Sequence, residues 1–114
     1  MSPADFRRLA LQMKGASEVA HMGHPDFRVN GKIFATLGYP DEYSGMVVLT
    51  PDDQATFIGT APHIFAPAKG AWGRSGSTQV TLAAADVATV SKAITAAWQR
   101  RASKSLVKRN AASN

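Results

Sequence analysis

Fourteen residues, His24-Pro25-Asp26-Phe27-Arg28-Val29-Asn30-Gly31-Lys32-Ile33-Phe34-Ala35-Thr36-Leu37, constrain the fold more than any other stretch of this chain. Two β-type runs flank Asn30-Gly31, the strongest short-range signal for a two-residue hairpin, because a type I′ turn needs φ > 0 at both central positions. Simple alternation puts Phe27, Val29, Lys32 and Phe34 on one face and Arg28, Ile33, Ala35 and Leu37 on the other. Pairing outward from the turn sets Val29 against Lys32, Arg28 against Ile33, and Phe27 against Phe34, a cross-strand aromatic pair worth roughly 0.2–1 kcal/mol beyond burial. Both faces carry apolar side chains, so part of the hairpin is covered on each side. Such a hairpin either grips a phosphate backbone through Arg28 and Lys32 or simply turns a corner of a sheet.

Around it, the chain of 114 residues reads as one domain. Ser2-Pro3-Ala4-Asp5 has the cap, proline and acid of a helix start, followed by Phe6, Leu9, Ala10 and Met13 at helical spacing and a stop at Gly15. Met46–Leu49 is a compact β-branched run. Thr50-Pro51-Asp52-Asp53 repeats the cap pattern and opens a short helix to about Gly59 that should bury Phe57 and Ile58. Ile64–Ala66 is a short apolar segment between prolines, Lys69–Gly76 is a glycine-rich loop, and Thr78–Leu82 alternates as a strand. From about Ala84 to Ala102, Val87, Val90, Ile94, Ala97 and Trp98 trace one helical face. The expected fold is α+β: a single domain with an antiparallel sheet and N-terminal and C-terminal helices packed against it.

Charge is distributed unevenly. The net charge is +5, yet residues 1–99 hold eight bases against eight acids, and the surplus lies in Arg100, Arg101, Lys104, Lys108 and Arg109. The expected division is a folded domain over 1–102 and a basic, disordered tail over 103–114, with those five bases available for non-specific phosphate contact or simply solvated. Cysteine is absent, which removes disulfides, thiolate metal sites and cysteine nucleophiles. Met1–Arg8 has no apolar core of signal-peptide length, and no apolar run approaches the ~20 residues of a membrane span. The expectation is a cytoplasmic protein with no membrane association.

Few residues invite chemistry. His21 and His24 with Asp26 are a weak metal pattern, better read as loop hydrogen bonds, and no metal or cofactor is expected. No serine sits in a nucleophile elbow, and the acid pairs Asp41-Glu42 and Asp52-Asp53 suit a loop and a helix start. Lys69–Gly76 lacks the Gly-Lys-Ser/Thr order of a P-loop, but its Trp72 and Arg74 suit stacking on a base or bonding a phosphate; equally, Trp72 suits the edge of a core. The chain is therefore expected not to be an enzyme.

Gly23–Leu37, then Leu49-Thr50-Pro51, then Gly70-Ala71-Trp72-Gly73, resemble the MmcQ/YjbR family of small bacterial proteins, with elements in family order from Phe6 to Trp98. The resemblance implies an α+β fold and a DNA-binding role that is itself an analogy, drawn from likeness to a double-wing sheet domain of a phage transcription factor. The resulting expectation is a monomeric or weakly dimeric module that binds DNA through Arg28, Lys32, Lys69, Trp72 and Arg74, meeting the phosphate backbone with the hairpin and the glycine-rich loop. The alternative is a protein–protein or small-ligand module that uses the apolar surface near Trp72 and the Tyr39–Tyr43 loop.

Overall fold

Helix α1 (Pro3–Leu11) begins at a reciprocal capping box, in which Ser2 Oγ accepts from Asp5 N (3.1 Å) and Asp5 Oδ2 accepts from Ser2 N (3.0 Å). The bond from the Ser2 backbone is the main reason the Asp5 carboxyl titrates below its ordinary range. The structure, a computed structural model, describes residues 1–21 and 23–112. Six strands follow one another through the chain: β1 (Ser17–His21), β2 (His24–Val29), β3 (Lys32–Leu37), β4 (Ser44–Val48), β5 (Phe65–Pro67) and β6 (Ser77–Thr81). They form one sheet in the order β1-β2-β3-β4-β6-β5, with every neighbouring pair antiparallel. The remaining helices are α2 (Pro51–Thr60), α3 (Gly70–Arg74), α4 (Val87–Arg101) and α5 (Lys104–Ala112). The expected α+β architecture is present.

The turn between β2 and β3 has Asn30 at φ 51° and Gly31 at φ 76°, as a type I′ turn requires. Val29 pairs with Lys32 and Arg28 with Ile33, but Phe27 pairs with Ala35 rather than with Phe34. Phe34 is the extra residue of a β-bulge, so it and Ala35 are both fully buried. The bulge corrects the simple alternation: Ala35 and Leu37 face the core, and Thr36 takes the other side. Phe27 instead meets Phe6 of α1, ring centroids 6.3 Å apart.

Helices α1 and α4 cover one face of the sheet, where Phe6, Phe27, Phe34, Val47, Val80, Ile94 and Trp98 are all buried. Trp98 Nε1 donates to Lys14 O (2.8 Å), so the one polar atom of this buried indole is satisfied. Helix α2 starts at Thr50, whose Oγ1 accepts from Asp53 N (3.1 Å). Its Phe57 and Ile58 are half-buried rather than buried, with Phe57 edge-on to Phe65. Helix α4 starts later than the sequence pattern suggests: Leu82–Ala84 is a 3₁₀ turn, Asp86 caps the helix by accepting from Thr89 N (2.9 Å), and Val87 stays 45% exposed. The Thr89 backbone bond likewise lowers the Asp86 pKa.

The segment expected as a disordered tail contains α5. Ser103 Oγ accepts from Leu106 N (3.2 Å), and Leu106 and Val107 pack against the core. Net charge hid a capped helix with an apolar pair. Ser103 N also donates to Asn30 Oδ1 (2.7 Å), which fastens the α4–α5 junction to the hairpin turn. Ser113 and Asn114 lie outside the described residues.

Candidate functional site

On the sheet face opposite α1 and α4 the described residues form a concavity of about 1130 Å³. Strand register builds its floor. Asp26 pairs with Thr36, Thr36 with Met46 and Met46 with Gln79, which makes one continuous row across β2, β3, β4 and β6; Val48 pairs with Ser77 in the next row on this face, and Ile33, just across the bulge from Ala35, pairs with Arg28. The floor is thus apolar at Ile33, Met46 and Val48, with the amide of Gln79 and the hydroxyls of Thr36 and Ser77 beside them. Tyr39 and Pro40, just past the end of β3, bound one end. Lys32 at the start of β3, Lys69 and Trp72 bound the other.

Among the described residues, five bases line this concavity, Arg28, Lys32, Lys69, Arg100 and Arg101, and no Asp or Glu does. Arg28 projects from β2 opposite Ile33, and its Nη2 donates to Asp26 Oδ2 at 3.4 Å, so a carboxylate in the same cross-strand row as Thr36 partly neutralises it. Its Nε, like that of Arg101, is buried without a hydrogen-bond partner. Lys32 and Lys69 are exposed. Four of the five residues expected to bind DNA, Arg28, Lys32, Lys69 and Trp72, therefore share one surface.

Arg74 does not. Residues Lys69–Gly76, expected as a loop, hold the single-turn helix α3, with Lys69 at its N-cap. Arg74 comes two positions after Trp72, roughly 200° around a helix, and is not among the residues that line the concavity. The glycines serve close packing: a Cβ on Gly73 would lie 1.8 Å from Ala68 O, so α3 can press against that carbonyl only there. Trp72 is 75% exposed and takes no part in the core, which settles its position against core-edge packing.

Arg100 also departs from expectation. It belongs to α4, and its Nη1 donates to Leu49 O and to Ser75 O, the latter at 2.9 Å. Burial of this guanidinium lowers its pKa from the ordinary value. It is a staple between α4, β4 and the end of α3, not a solvated tail charge. Lys104, Lys108 and Arg109 are on α5 and lie outside the concavity lining.

His24 stacks edge-on to Tyr39, centroids 6.3 Å apart, and Asp26 is engaged by Arg28. The His21 side chain lies outside the described residues, and among those described no three His, Asp or Glu side chains gather as a metal site. Sequence reasoning missed the floor, although the alternation in 44–48 and 77–81 that buries Val47 and Val80 on one side leaves Met46 and Gln79 on the other.

A family model, YjbR, matches residues 11–100. The chain belongs to the YjbR family. A search of curated proteins returned no match. Among solved structures, the crystal structure of the Deinococcus radiodurans protein DR2400, with a domain designated DUF419, superimposes with a TM-score of 0.69 over 95% of this chain and 86% of that one, at 13% identity. At that identity the likeness shows the fold alone. The YjbR match ends at Arg100, so Arg101 and α5 lie beyond it. Among the described residues no helix is long and apolar enough to cross a membrane.

Proposed function

We propose that this YjbR protein is a nucleic-acid-binding module without catalysis of its own, and that it holds DNA by its phosphates on the open face of the sheet. One observation carries this reading: three bases of the charge-neutral first 99 residues, Arg28, Lys32 and Lys69, and the two that follow, Arg100 and Arg101, line one concavity, and among the described lining residues there is no acid. The hairpin supplies Arg28 and Lys32, the segment entering α3 supplies Lys69 and Trp72, and Arg101 closes the cationic end. Arg100 is engaged by backbone carbonyls and Arg28 by Asp26, which leaves three bases, Lys32, Lys69 and Arg101, for phosphates.

Three neutralised phosphates give a slope of log affinity against log salt near −2.7 on a duplex and near −2.1 on a single strand. Between 50 and 200 mM salt, affinity is therefore expected to fall about 20- to 40-fold. Fluorescence anisotropy with labelled oligonucleotides measures this directly. Lys32→Glu with Lys69→Glu, both exposed, is expected to weaken binding more than about tenfold while circular dichroism stays unchanged. Binding by the parent that ignores salt and survives the double reversal would sink the proposal. That result would favour a small-ligand module, the reading to which the apolar floor of Ile33, Met46 and Val48 lends support.

A further inference from the structure

We infer that the strand held on this face is single, with unpaired bases lodged in the concavity against Trp72 and phosphates at its cationic end. This rests on the nucleic-acid reading above and adds which form of nucleic acid is bound.

Four features separate a single strand from a duplex. A duplex offers its base edges only to an element inserted into a groove. The element placed to do so, the hairpin tip, has its Asn30 side chain bonded to Ser103 N and α5 docked beside it. The rest of the face is concave and inserts nothing. Next, the floor pairs flat apolar surface with the Gln79 amide and the Thr36 hydroxyl, groups that suit the face and edge of an extruded base and that a duplex backbone would leave unused. Third, the cations are one-sided: Lys32, Lys69 and Arg101 sit at the end where the hairpin turns, and Tyr39 and Pro40 close the opposite end. A strand whose phosphates run along one rim while its bases lean across the floor fits that asymmetry. Finally, the volume of about 1130 Å³ exceeds the ~300–1000 Å³ typical of a site for one small molecule, so it accommodates a few nucleotides.

Trp72 is the stacking platform. The buried Trp98 already serves the core, whereas Trp72 is 75% exposed on the rim of a cationic site. Sequence-tolerant stacking on such a ring adds to phosphate attraction.

The test compares three labelled 12-mers at equal salt: single-stranded oligothymidine, a duplex, and an abasic deoxyribose-phosphate strand with the same charge and no bases. The full-length protein is expected to bind oligothymidine at least tenfold more tightly than either competitor. Trp72→Ala should weaken oligothymidine about 5- to 150-fold, the range for one lost base stack, and leave the duplex unchanged. Trp72→Phe should recover part of the loss. Oligothymidine should also quench the emission of the exposed tryptophan in the parent and not in Trp72→Ala, where only the buried Trp98 remains. Equal affinity for the abasic strand or the duplex, or an unquenched parent that binds, overturns this inference and leaves the phosphate-binding reading standing. Binding of none of the three overturns both.

Discussion

Arg100→Ala distinguishes a structural staple from a charged tail. Nη1 of Arg100 bonds two carbonyls, those of Leu49 and Ser75. Leu49 is fully buried, so its carbonyl has no ready access to water once the guanidinium is gone. A hydrogen bond to a charged group contributes about 1.5–3 kcal/mol, and an orphaned buried acceptor costs a similar amount. The Ser75 carbonyl is near solvent and re-pairs with water, so it adds little. The apolar stem of Arg100 contributes some packing. The expected destabilisation is about 2–3 kcal/mol, equivalent for a domain of this size to a melting temperature lower by about 8–12 °C. Urea unfolding and thermal melts followed by circular dichroism measure both. Lys104→Ala, on an exposed side chain with the same formal charge, is the comparison and should stay within about 0.5 kcal/mol of the parent. An Arg100→Ala protein that melts within about 2 °C of the parent, or that loses oligonucleotide binding without losing stability, would show that the staple reasoning is mistaken.

Asn30→Gly keeps a residue suited to φ 51° but removes the acceptor for Ser103 N; a loss of about 0.5–1.5 kcal/mol confined to the α5 docking is expected, seen as faster amide exchange in α5 with unchanged β-sheet protection. Unchanged α5 exchange would contradict that coupling. Gly45→Ala places a Cβ 2.9–3.2 Å from three ring atoms of the buried Phe6, and overpacking of about 1–3 kcal/mol follows, partly relieved by Phe6→Leu; a parent-like melt of the single variant would refute the close packing. Asp5 and Asp86 have folded pKa values below their ordinary 3.8, so the stability they confer is present above that value and is lost as pH falls through the lower folded pKa. The melting temperature should be flat near neutrality and drop below about pH 4, and Asp86→Asn, still a good cap, should flatten that drop. Superimposable acid profiles for parent and variant would be inconsistent with the lowered pKa of Asp86.

Features set by neighbouring residues were legible. Ser2 with Asp5, Thr50 ahead of Pro51, and Asn30-Gly31 each complete their geometry within a few positions, and the fold order followed from them. Features set by distant partners were not. Ser17-Glu18-Val19-Ala20-His21 shows little alternation, and it is a strand because β2 lies beside it. Three glycines near Trp72 suggest a flexible loop, whereas Gly73 is demanded by the approach of Ala68, which no local pattern reveals. Arg100 and Arg101 read as the start of a charged tail because the run of bases continues to Arg109. Only the packing of α4 over β4 shows that the first is a staple and the second faces the concavity. Of the candidate residues, Arg28, Lys32, Lys69 and Trp72 line one concavity, and Arg74 falls outside it because the single helical turn of α3 carries it round from Trp72.

The bulge at Phe34 ties the two sides of the sheet to a common phase. Without the extra residue, a regular β3 built outward from the turn would point Thr36 into the core and Leu37 into the open face. By occupying two successive inward positions, Phe34 and Ala35 reset that parity, and the row Thr36–Met46–Gln79 is the result. The chemistry offered to a ligand is thus decided by a ring on the far side of the sheet. A substitution at Phe34 that shifted the bulge would exchange Thr36 and Leu37 between the two faces, so a core position governs which side chains the open face presents.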